Sequence, residues 1–384
     1  MRRLQLVGPG VRHAARSGLA SLVLLALTAL CAAQDGPYVL RAEDGGWVAL
    51  SVAPGDAGPQ KREQALGAQR EITVPGVGSL PEFRVVLREP AAAARDDIKV
   101  PAKTPLFVVA DTHGEYEILV AQLQKHGVVD AKLAWKFGRG HLVVLGDVFD
   151  RGPNQTEILW LLYKLEAEAA KAGGGSHLLL GNHETMILRG DQRYLHPRYA
   201  ETTRVLGAGS YSELFGPDTL AGQWLRSRPT MLRINDRLFL HGGVSRVLAD
   251  SGLSIAQINA GVRALLSGSA PATDIERRRA ELLLGPLGPL WYRGYFTSQS
   301  SFPAADEEDL ARVLAVFSVR RIFIGHTIVP TITSLYGGKV IAVQVYPKKG
   351  ESGAIQFESL LIRSGELWRA NLEGLQKLDD RPAF

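Results

Sequence analysis

Five short apolar segments of the chain share one feature, because each ends directly at a group of Asp, His or Asn residues. The segments lie at 106–109, 142–145, 178–180, 238–240 and 322–324. Segments with a helical pattern lie between them. This alternation of strands and helices is typical of an α/β fold with helices on both faces of a sheet. Ligands of open α/β sheets bind at the carboxyl ends of the strands. The polar groups are therefore expected to converge on one site.

These polar groups consist of carboxylates, imidazoles and one carboxamide. In chain order they are Asp111, His113, Asp147, Asp150, Asn182, His183, His241 and His326. Oxygen and imidazole donors without cysteine form a hard-to-intermediate ligand set, which suits Mn, Fe or Zn rather than a structural zinc site. Two metal ions that share a bridging carboxylate can clamp the attacking and leaving oxygens of an in-line displacement. The pattern predicts a catalytic metal site.

Five motifs carry these residues in order. They are Asp-x-His-Gly at 111–114, Gly-Asp-x-x-Asp-Arg-Gly at 146–152, Gly-Asn-His-Glu at 181–184, His-Gly-Gly at 241–243 and Gly-His-Thr at 325–327. Together they resemble the calcineurin-like metallophosphoesterases, and the second and third motifs are most similar to the phosphoprotein phosphatase branch. With Leu-Trp-Tyr-Arg at 290–293, the sequence looks closest to the bacterial and Shewanella-like protein phosphatases. The resemblance covers roughly residues 106–363.

The resemblance implies a fold and a set of metal ligands. The fold is α/β (α+β by some schemes): a metallophosphoesterase four-layer sandwich of two mixed β-sheets flanked by helices, with a small β-rich N-terminal extension. Two divalent or trivalent metal ions (Mn, Fe or Zn) are implied as cofactors. Asp111 and His113 would bind the first ion and Asp147 would bridge both, while the remaining ligands would be Asn182, on the second ion, His241 and His326.

The same resemblance implies roles in phosphoryl transfer. A hydroxide or water held between the metals would attack phosphorus, because its pKa is lowered there. His183 would protonate the leaving oxygen, and Asp150 would orient the His183 imidazole. Arg151 would bind the phosphoryl oxygens through its planar guanidinium. Arg293 is a candidate second phosphate-binding arginine, although its motif departs from the eukaryotic protein phosphatase pattern.

Residues 1–33 have the pattern of a secretory signal peptide. Four arginines and no acidic residue occur there, and an apolar run of 16 residues at 18–33 ends in small residues. A membrane-spanning helix needs ~20 apolar residues. The prediction is export to the periplasm or the exterior, without stable membrane insertion after cleavage. The alternatives are an N-terminal membrane anchor and an organelle-targeting segment.

The net charge of +5 is a property of this leader. Without residues 1–33 the net charge is +1, so the charge does not indicate a nucleic acid partner. The single cysteine, Cys31, also lies in the leader. A single cysteine excludes a disulfide framework, and a thiol-free mature chain suits an oxidising compartment.

The remainder divides into four further parts. Residues 34–104 are predicted as a β-rich extension with strands at 47–52, 71–74 and 83–87 and a polar loop at 54–69; an extended, partly ordered tail is the alternative. Residues 105–365 form the catalytic domain, with β structure at 332–335, 340–345 and 357–362, and residues 366–384 a C-terminal tail. Within the domain, residues 185–233 are expected to form a helical cap that places Arg189, Arg193, Tyr194 and Tyr199 over the crevice.

The other histidines of the folded part are interpreted as packing or solvent-facing residues. They are His126, His141, His177 and His196, and the basic run at 277–279 is interpreted as an exposed helix face.

The sequence as a whole predicts an exported binuclear-metal phosphatase that hydrolyses phosphomonoesters. A phosphoprotein, phosphopeptide or small phosphoester is the expected substrate, at Ser/Thr or Tyr. One alternative is a nucleotide or dinucleoside polyphosphate hydrolase on the same core. A second is a secreted binding module that has lost catalysis, although a complete ligand set argues against it.

Overall fold

The computed structural model describes residues 34–68, 70–89, 93–296, 303–350 and 353–379. The predicted signal peptide at 1–33, with Cys31, lies outside these residues. Within the described ranges, the helices are all too short or too polar to cross a lipid bilayer.

The strands and helices are numbered in chain order. The strands are β1 (Asp35–Arg41), β2 (Trp47–Ala53), β3 (Gln60–Leu66), β4 (Glu71–Val74), β5 (Phe83–Val86), β6 (Asp97–Ile98), β7 (Leu106–Val109), β8 (His141–Val144), β9 (Gly175–Leu178), β10 (Met231–Ile234), β11 (Arg237–Leu240), β12 (Arg321–Ile324), β13 (Thr333–Leu335), β14 (Val340–Ala342), β15 (Lys348–Lys349), β16 (Ile355–Gln356), β17 (Ser359–Arg363), β18 (Glu366–Ala370) and β19 (Leu375–Lys377). The helices are α1 (Tyr116–Lys125), α2 (Gln155–Lys171), α3 (Asn182–Leu188), α4 (Pro197–Leu206), α5 (Leu220–Arg226), α6 (Arg246–Asp250), α7 (Ile255–Leu266), α8 (Asp274–Leu284) and α9 (Glu307–Phe317), with short 3₁₀ turns at Tyr211–Phe215 and Tyr336–Gly338.

Two six-stranded mixed sheets form the centre of the molecule. The first has the order β19-β18-β17-β7-β8-β9, and the second has the order β13-β14-β12-β11-β10-β6. Each sheet contains three adjacent parallel strands, which are β7, β8 and β9 in the first sheet and β11, β12 and β14 in the second. Their apolar side chains are buried, as expected for strands covered on both faces. This architecture confirms the predicted fold class.

The predicted site residues follow the carboxyl ends of five of these parallel strands, β7, β8, β9, β11 and β12. The ends of β7 and β8 in the first sheet meet the ends of β11 and β12 in the second. Direct hydrogen bonds join the two sheets there: His241 Nδ1 donates to the Leu145 carbonyl at 2.9 Å, and the His326 amide donates to Asp111 Oδ1 at 3.1 Å. The site therefore lies between the sheets and draws on both.

The N-terminal extension is folded rather than tail-like. Strands β1, β2 and β3 form an antiparallel sheet, and β4 pairs with β5. Strands β2, β4 and β5 agree with the strands expected from the sequence, whereas β3 lies within the segment predicted as a polar loop at 54–69. Its sequence, Gln-Lys-Arg-Glu-Gln-Ala-Leu, is exposed along nearly its whole length. An edge strand with no buried face lacks the apolar alternation that identifies strands.

Two predicted boundaries differ from the structure. The segment after residue 365, predicted as a tail, contains β18 and β19, which extend the first sheet by pairing onward from β17. The insert predicted at 185–233 is mostly helical, but its last residues already belong to β10 of the second sheet.

Candidate active site

The loops that carry the site approach one another more closely than any side chain allows. A Cβ atom on Gly146 would lie 2.4 Å from the Gly181 amide nitrogen, and Gly146 has φ of 98°. A Cβ atom on Gly152 would lie 2.1 Å from the His113 carbonyl oxygen. Both contacts are with backbone atoms, which cannot turn aside. Glycine at these two positions is what lets the loops after β7, β8 and β9 pack together.

Several residues of the site adopt left-handed backbone conformations that non-glycine residues seldom adopt. They are His113, Asp147, Asp150, Arg151 and His326, with φ between 43° and 68°. Such conformations cost free energy and persist where surrounding contacts determine them. Their concentration here is typical of a functional site. Contacts from other parts of the chain must hold these loops in place.

Glu184 supplies much of the restraint. Its buried carboxylate accepts hydrogen bonds from the amides of Asp147 and Gly181 at 2.7 Å, through Oε2. Its other oxygen accepts from the Val148 amide at 2.7 Å and from the Phe149 amide at 3.4 Å. One side chain of α3 thus joins the loop after β8 to the turn after β9.

Oxygen and nitrogen atoms that can bind a cation surround one ring atom of His241. Because His241 Nδ1 donates to a backbone carbonyl, Nε2 is the ring atom that faces the site, and it would become a ligand when a metal ion takes the place of its proton. That atom lies 2.8 Å from Asn182 Oδ1, 3.1 Å from Asp147 Oδ2 and 3.1 Å from His326 Nδ1. Nε2 of His326 is buried and has no hydrogen-bond partner among the described residues. Lone-pair donors converge in this way around a cation, so these residues fit a metal ion.

A second group of donors shares Asp147 with the first. The ligand atoms of His113, Asp147 and His183 lie within 4.8 Å of one another, as do those of Asp147, His241 and His326. His113 Nδ1 donates to the Phe149 carbonyl at 2.9 Å, which directs Nε2 toward Asp147. A carboxylate common to both groups suits a pair of ions.

Burial and the mixture of charges shift the acid–base behaviour of the cluster. Burial, reinforced by Asp147, raises the pKa of Asp111 to about 6. Burial opposes the charged form of His241, but the nearby Asp147 and Asp111 carboxylates raise its pKa to about 9. Burial lowers the pKa of His113 to about 4, so that its imidazole is neutral and available as a ligand. The negative potential at Asp111 and Asp147 is of the kind that a metal ion balances.

His183 and Asp150 form a buried pair beside these ligands. His183 Nδ1 donates to Asp150 Oδ2 at 2.5 Å, and His183 Nε2 lies 3.8 Å from Asp147 Oδ2. Although burial opposes the charged imidazole, Asp147 and the hydrogen bond to Asp150 raise the pKa of His183. The Asp150 amide is itself held by Gln155 Oε1 at 2.6 Å. An imidazole that is oriented and protonated in this way can donate a proton at Nε2.

The two predicted phosphate-binding arginines lie on different sides of the cluster. Arg151 is exposed, and its guanidinium lies 5.8 Å from the ring of Tyr346. Arg293 is half-buried, and its Nη1 donates to the His326 carbonyl and to Thr327 Oγ1, both at 3.2 Å. The structure thus brings all ten predicted site residues into one region, with the two guanidinium groups at its edge.

The predicted cap residues divide into two groups. Arg189 and Arg193 line a cavity of about 580 Å³ together with Trp291 and Arg293, and the Tyr194 ring lies 5.4 Å from the His183 ring. Tyr199, in contrast, does not face the crevice. It is fully buried, and its hydroxyl donates to the Pro153 carbonyl at 2.6 Å. Tyr199 therefore contacts the backbone that follows the Asp150 loop from the interior of the protein. Helical spacing on α4 directs Tyr199 inward, so its predicted position was wrong.

Sequence reasoning did not assign roles to several residues that the structure places at the site. Glu184 is the last residue of Gly-Asn-His-Glu. Its position three residues after Gly181, just past the end of an apolar strand, could have indicated its role. Trp291, whose ring lies 5.7 Å from that of His326, belongs to the segment at 290–293. Tyr346, whose ring lies 5.8 Å from that of His113, had no local signal because it enters the site from a distant loop. Of the remaining histidines, His141 and His177 stack on each other in the interior at 5.1 Å.

The fold and the site define a class of protein, and comparisons with known proteins agree. Residues 104–330 match the family described as calcineurin-like phosphoesterase. The chain belongs to this family and is a metal-dependent phosphoester hydrolase.

Three relatives show where in the family the similarity lies. The crystal structure of the cold-active protein-tyrosine phosphatase of a psychrophilic Shewanella species is 34% identical, with a TM-score of 0.78 over 90% of this chain and 99% of that one. Shewanella-like protein phosphatase 1 of Plasmodium berghei is 28% identical over 237 residues, which are 62% of this chain and 64% of the relative. Shewanella-like protein phosphatase 2 of Arabidopsis thaliana is 26% identical over 288 residues, which are 64% of this chain and 72% of the relative. The predicted family resemblance is confirmed.

The restraint by Glu184 leads to a prediction. In Glu184→Gln, one acceptor oxygen becomes an NH₂ group that faces backbone donors, so buried amides lose their partners. We expect a loss of about 3 kcal/mol in the free energy of unfolding and a metal content below half of that of the wild type. Urea denaturation and elemental analysis measure the two effects. Glu213→Gln is the control, because the Glu213 carboxylate accepts the Gly209 amide at an exposed position. Wild-type metal content in Glu184→Gln would contradict this role.

Proposed function

We propose that the protein is an exported phosphatase that hydrolyses phosphomonoesters of proteins or peptides at Ser, Thr or Tyr. The observation that carries the proposal is the His183–Asp150 pair beside the metal ligands. A seryl, threonyl or tyrosyl oxygen leaves as a strong base and requires a proton, whereas a phosphate that leaves from a polyphosphate is a much weaker base. A dedicated proton donor therefore favours phosphomonoesters over the dinucleoside polyphosphates of the alternative hypothesis.

Six residues of the chain are the proposed metal ligands. Asp111, His113 and Asp147 would hold one ion, and Asn182, His241 and His326 would hold a second together with Asp147. When bound, the ions polarise the phosphoryl oxygens and lower the pKa of water. The donor set of carboxylate, amide and imidazole suits Mn, Fe or Zn.

His183 and the two arginines act directly on the substrate, whereas Asp150 acts through His183. Asp150 holds the His183 imidazole so that Nε2 faces the leaving oxygen and transfers a proton to it. Arg151 and Arg293 bind phosphoryl oxygens through guanidinium groups, whose geometry matches two oxygens at once. Their charge also offsets the negative charge that spreads over these oxygens in the transition state.

The cavity beside the site supports a peptide as the substrate. Trp291 and Met186 give it apolar surface, while Arg189, Arg193 and Arg293 give it positive charge. Arg193 is paired with Asp191 at 2.5 Å, whereas no described ion pair involves the exposed Arg189. Arg189 is therefore available for an acidic group next to the phosphorylated residue. The printed names of the three relatives, protein phosphatases and a protein-tyrosine phosphatase, support the same substrate class.

Export is proposed from the sequence of the leader. Its basic start, apolar run and small residues match a secretory signal. The absence of cysteine after residue 33 suits an oxidising compartment.

Two variants separate metal binding from proton transfer. We expect Asp147→Asn to lose metal and activity together, to below about one hundredth of the wild type, because the shared carboxylate loses its charge. We expect His183→Asn to keep its metal and to lose about 100-fold or more in kcat on a phosphoserine peptide. Elemental analysis and steady-state kinetics are the measurements. A His183→Asn protein without metal would show that His183 is a ligand and not the proton donor.

Arg189→Ala tests the substrate class. We expect KM for a phosphopeptide with acidic neighbours to rise about fivefold, equivalent to one exposed charge contact, while KM for p-nitrophenyl phosphate stays unchanged. Arg204→Ala is the control, because Arg204 is exposed and already paired with Glu201. Wild-type hydrolysis of diadenosine polyphosphate far above that of phosphopeptides would contradict the proposed function. Absence of any phosphoester turnover in the Mn-supplemented protein would favour a binding module.

A further inference from the structure

A buried carboxylate in the N-terminal extension, Asp35, lies at the centre of a hydrogen-bond network outside the metal cluster. The residue is 2% exposed. Its Oδ2 accepts hydrogen bonds from the Thr202 hydroxyl at 2.6 Å and from the Tyr38 hydroxyl at 2.8 Å. Its Oδ1 accepts from the Gly36 amide at 2.8 Å and from Arg198 Nη2 at 3.3 Å. The phosphatase chemistry described above uses none of these groups.

One connection from Asp35 passes through α4 to the catalytic loop, which is the loop at 146–152 that carries Asp150. Arg198 Nη1 donates to the Pro153 carbonyl at 2.7 Å, and the Tyr199 hydroxyl donates to the same oxygen at 2.6 Å. The Tyr199 hydroxyl also accepts a hydrogen bond from the backbone amide of Gln155 at 2.8 Å. Asp35 and α4 together therefore fix the backbone directly after the loop that carries Asp150.

A second connection reaches Asp150 itself. The Tyr38 ring packs edge-on against the Tyr211 ring at 6.3 Å. The Tyr211 hydroxyl accepts Gln155 Nε2 at 2.8 Å, and Gln155 Oε1 accepts the Asp150 amide at 2.6 Å. The Asp150 backbone is left-handed, with φ of 68°, so it depends on such external bonds.

The Asp35 carboxylate is one of two buried acidic groups that hold the Arg198 guanidinium in place. Arg198 is largely buried between two carboxylates, 3.3 Å from Asp35 and 2.9 Å from Glu157. Its side chain is 12% exposed, so water screens it little. Removing the carboxylate of Asp35 would draw Arg198 toward Glu157 and away from the Pro153 carbonyl.

We propose that Asp35 is a positioning residue for the catalytic loop, and that the N-terminal extension is part of the support of the active site. The proposal rests on the roles proposed above for His183 and Asp150. Asp35 acts through Arg198, Tyr199 and Gln155 and does not touch the substrate. Its loss misaligns Asp150 and with it the proton donor, while the metal ligands keep their own restraint from Glu184.

The test compares two leaving groups in the full chain of Asp35→Asn. A phosphoserine peptide needs the proton donor, whereas p-nitrophenyl phosphate has a leaving group that departs without one. We expect kcat on the phosphoserine peptide to fall about tenfold, kcat on p-nitrophenyl phosphate to fall less than about twofold, and the metal content to stay at the wild-type value. Tyr38→Phe, which removes one hydroxyl only, is a milder variant with the same expected selectivity. Asp44→Asn is the control, because Asp44 is an exposed turn residue of the same sheet.

The outcomes separate this proposal from the proposed function. An equal loss on both substrates, or no loss on either, in Asp35→Asn and in Tyr38→Phe would overturn the positioning role, because a merely structural defect does not select a leaving group. If Asp35→Asn does not fold, Tyr38→Phe alone decides by the same criterion. If His183→Asn itself shows no preference between the two leaving groups, the assignment of His183 as proton donor fails instead.

Discussion

The bonds from Glu184 to two loops are the interaction on which the active site depends. The Glu184 carboxylate accepts the amide of Asp147 and the amide of Gly181 at once, so the loop after β8 and the start of α3 keep a fixed separation. The proposed metal ligands Asp147 and Asn182 lie on these two segments. At φ of 54°, Asp147 would relax toward an ordinary conformation without external bonds. The buried acceptor is therefore what makes the strained backbone persist.

The fixed backbone brings the proposed metal ligands together around one point. Asn182 Oδ1 and Asp147 Oδ2 lie 2.8 Å and 3.1 Å from His241 Nε2. A metal ion in place of the Nε2 proton would balance the charge of the buried carboxylates. The proposed proton donor is built differently, because His183 receives its orientation and its raised pKa from the neighbouring carboxylates. Asp35 and its network restrain the loop of Asp150 from the outer side, independently of the metal ligands.

The sequence was informative wherever a buried strand ended in a polar residue. Asp111 and Asp147 could be placed together because the carboxyl ends of the parallel neighbours β7 and β8 share an edge and their apolar segments are unambiguous. Strand β3 could not be predicted, since an exposed edge strand has no apolar face. The position of Tyr199 was wrong because the spacing of aromatic residues on a helix does not tell which side faces the site. The Asp35 network joins residues up to 167 positions apart, and no local pattern reports contacts over such distances.

We propose that Asp147 binds two metal ions and that His183 binds none. Anomalous diffraction from crystals of the Mn- or Zn-loaded protein tests this assignment. We expect two anomalous peaks, both in contact with Asp147, one bound by Asp111 and His113 and the other by Asn182, His241 and His326. The His183 imidazole should remain on Asp150. A single peak, or a peak bound to His183 Nε2, would contradict the assignment.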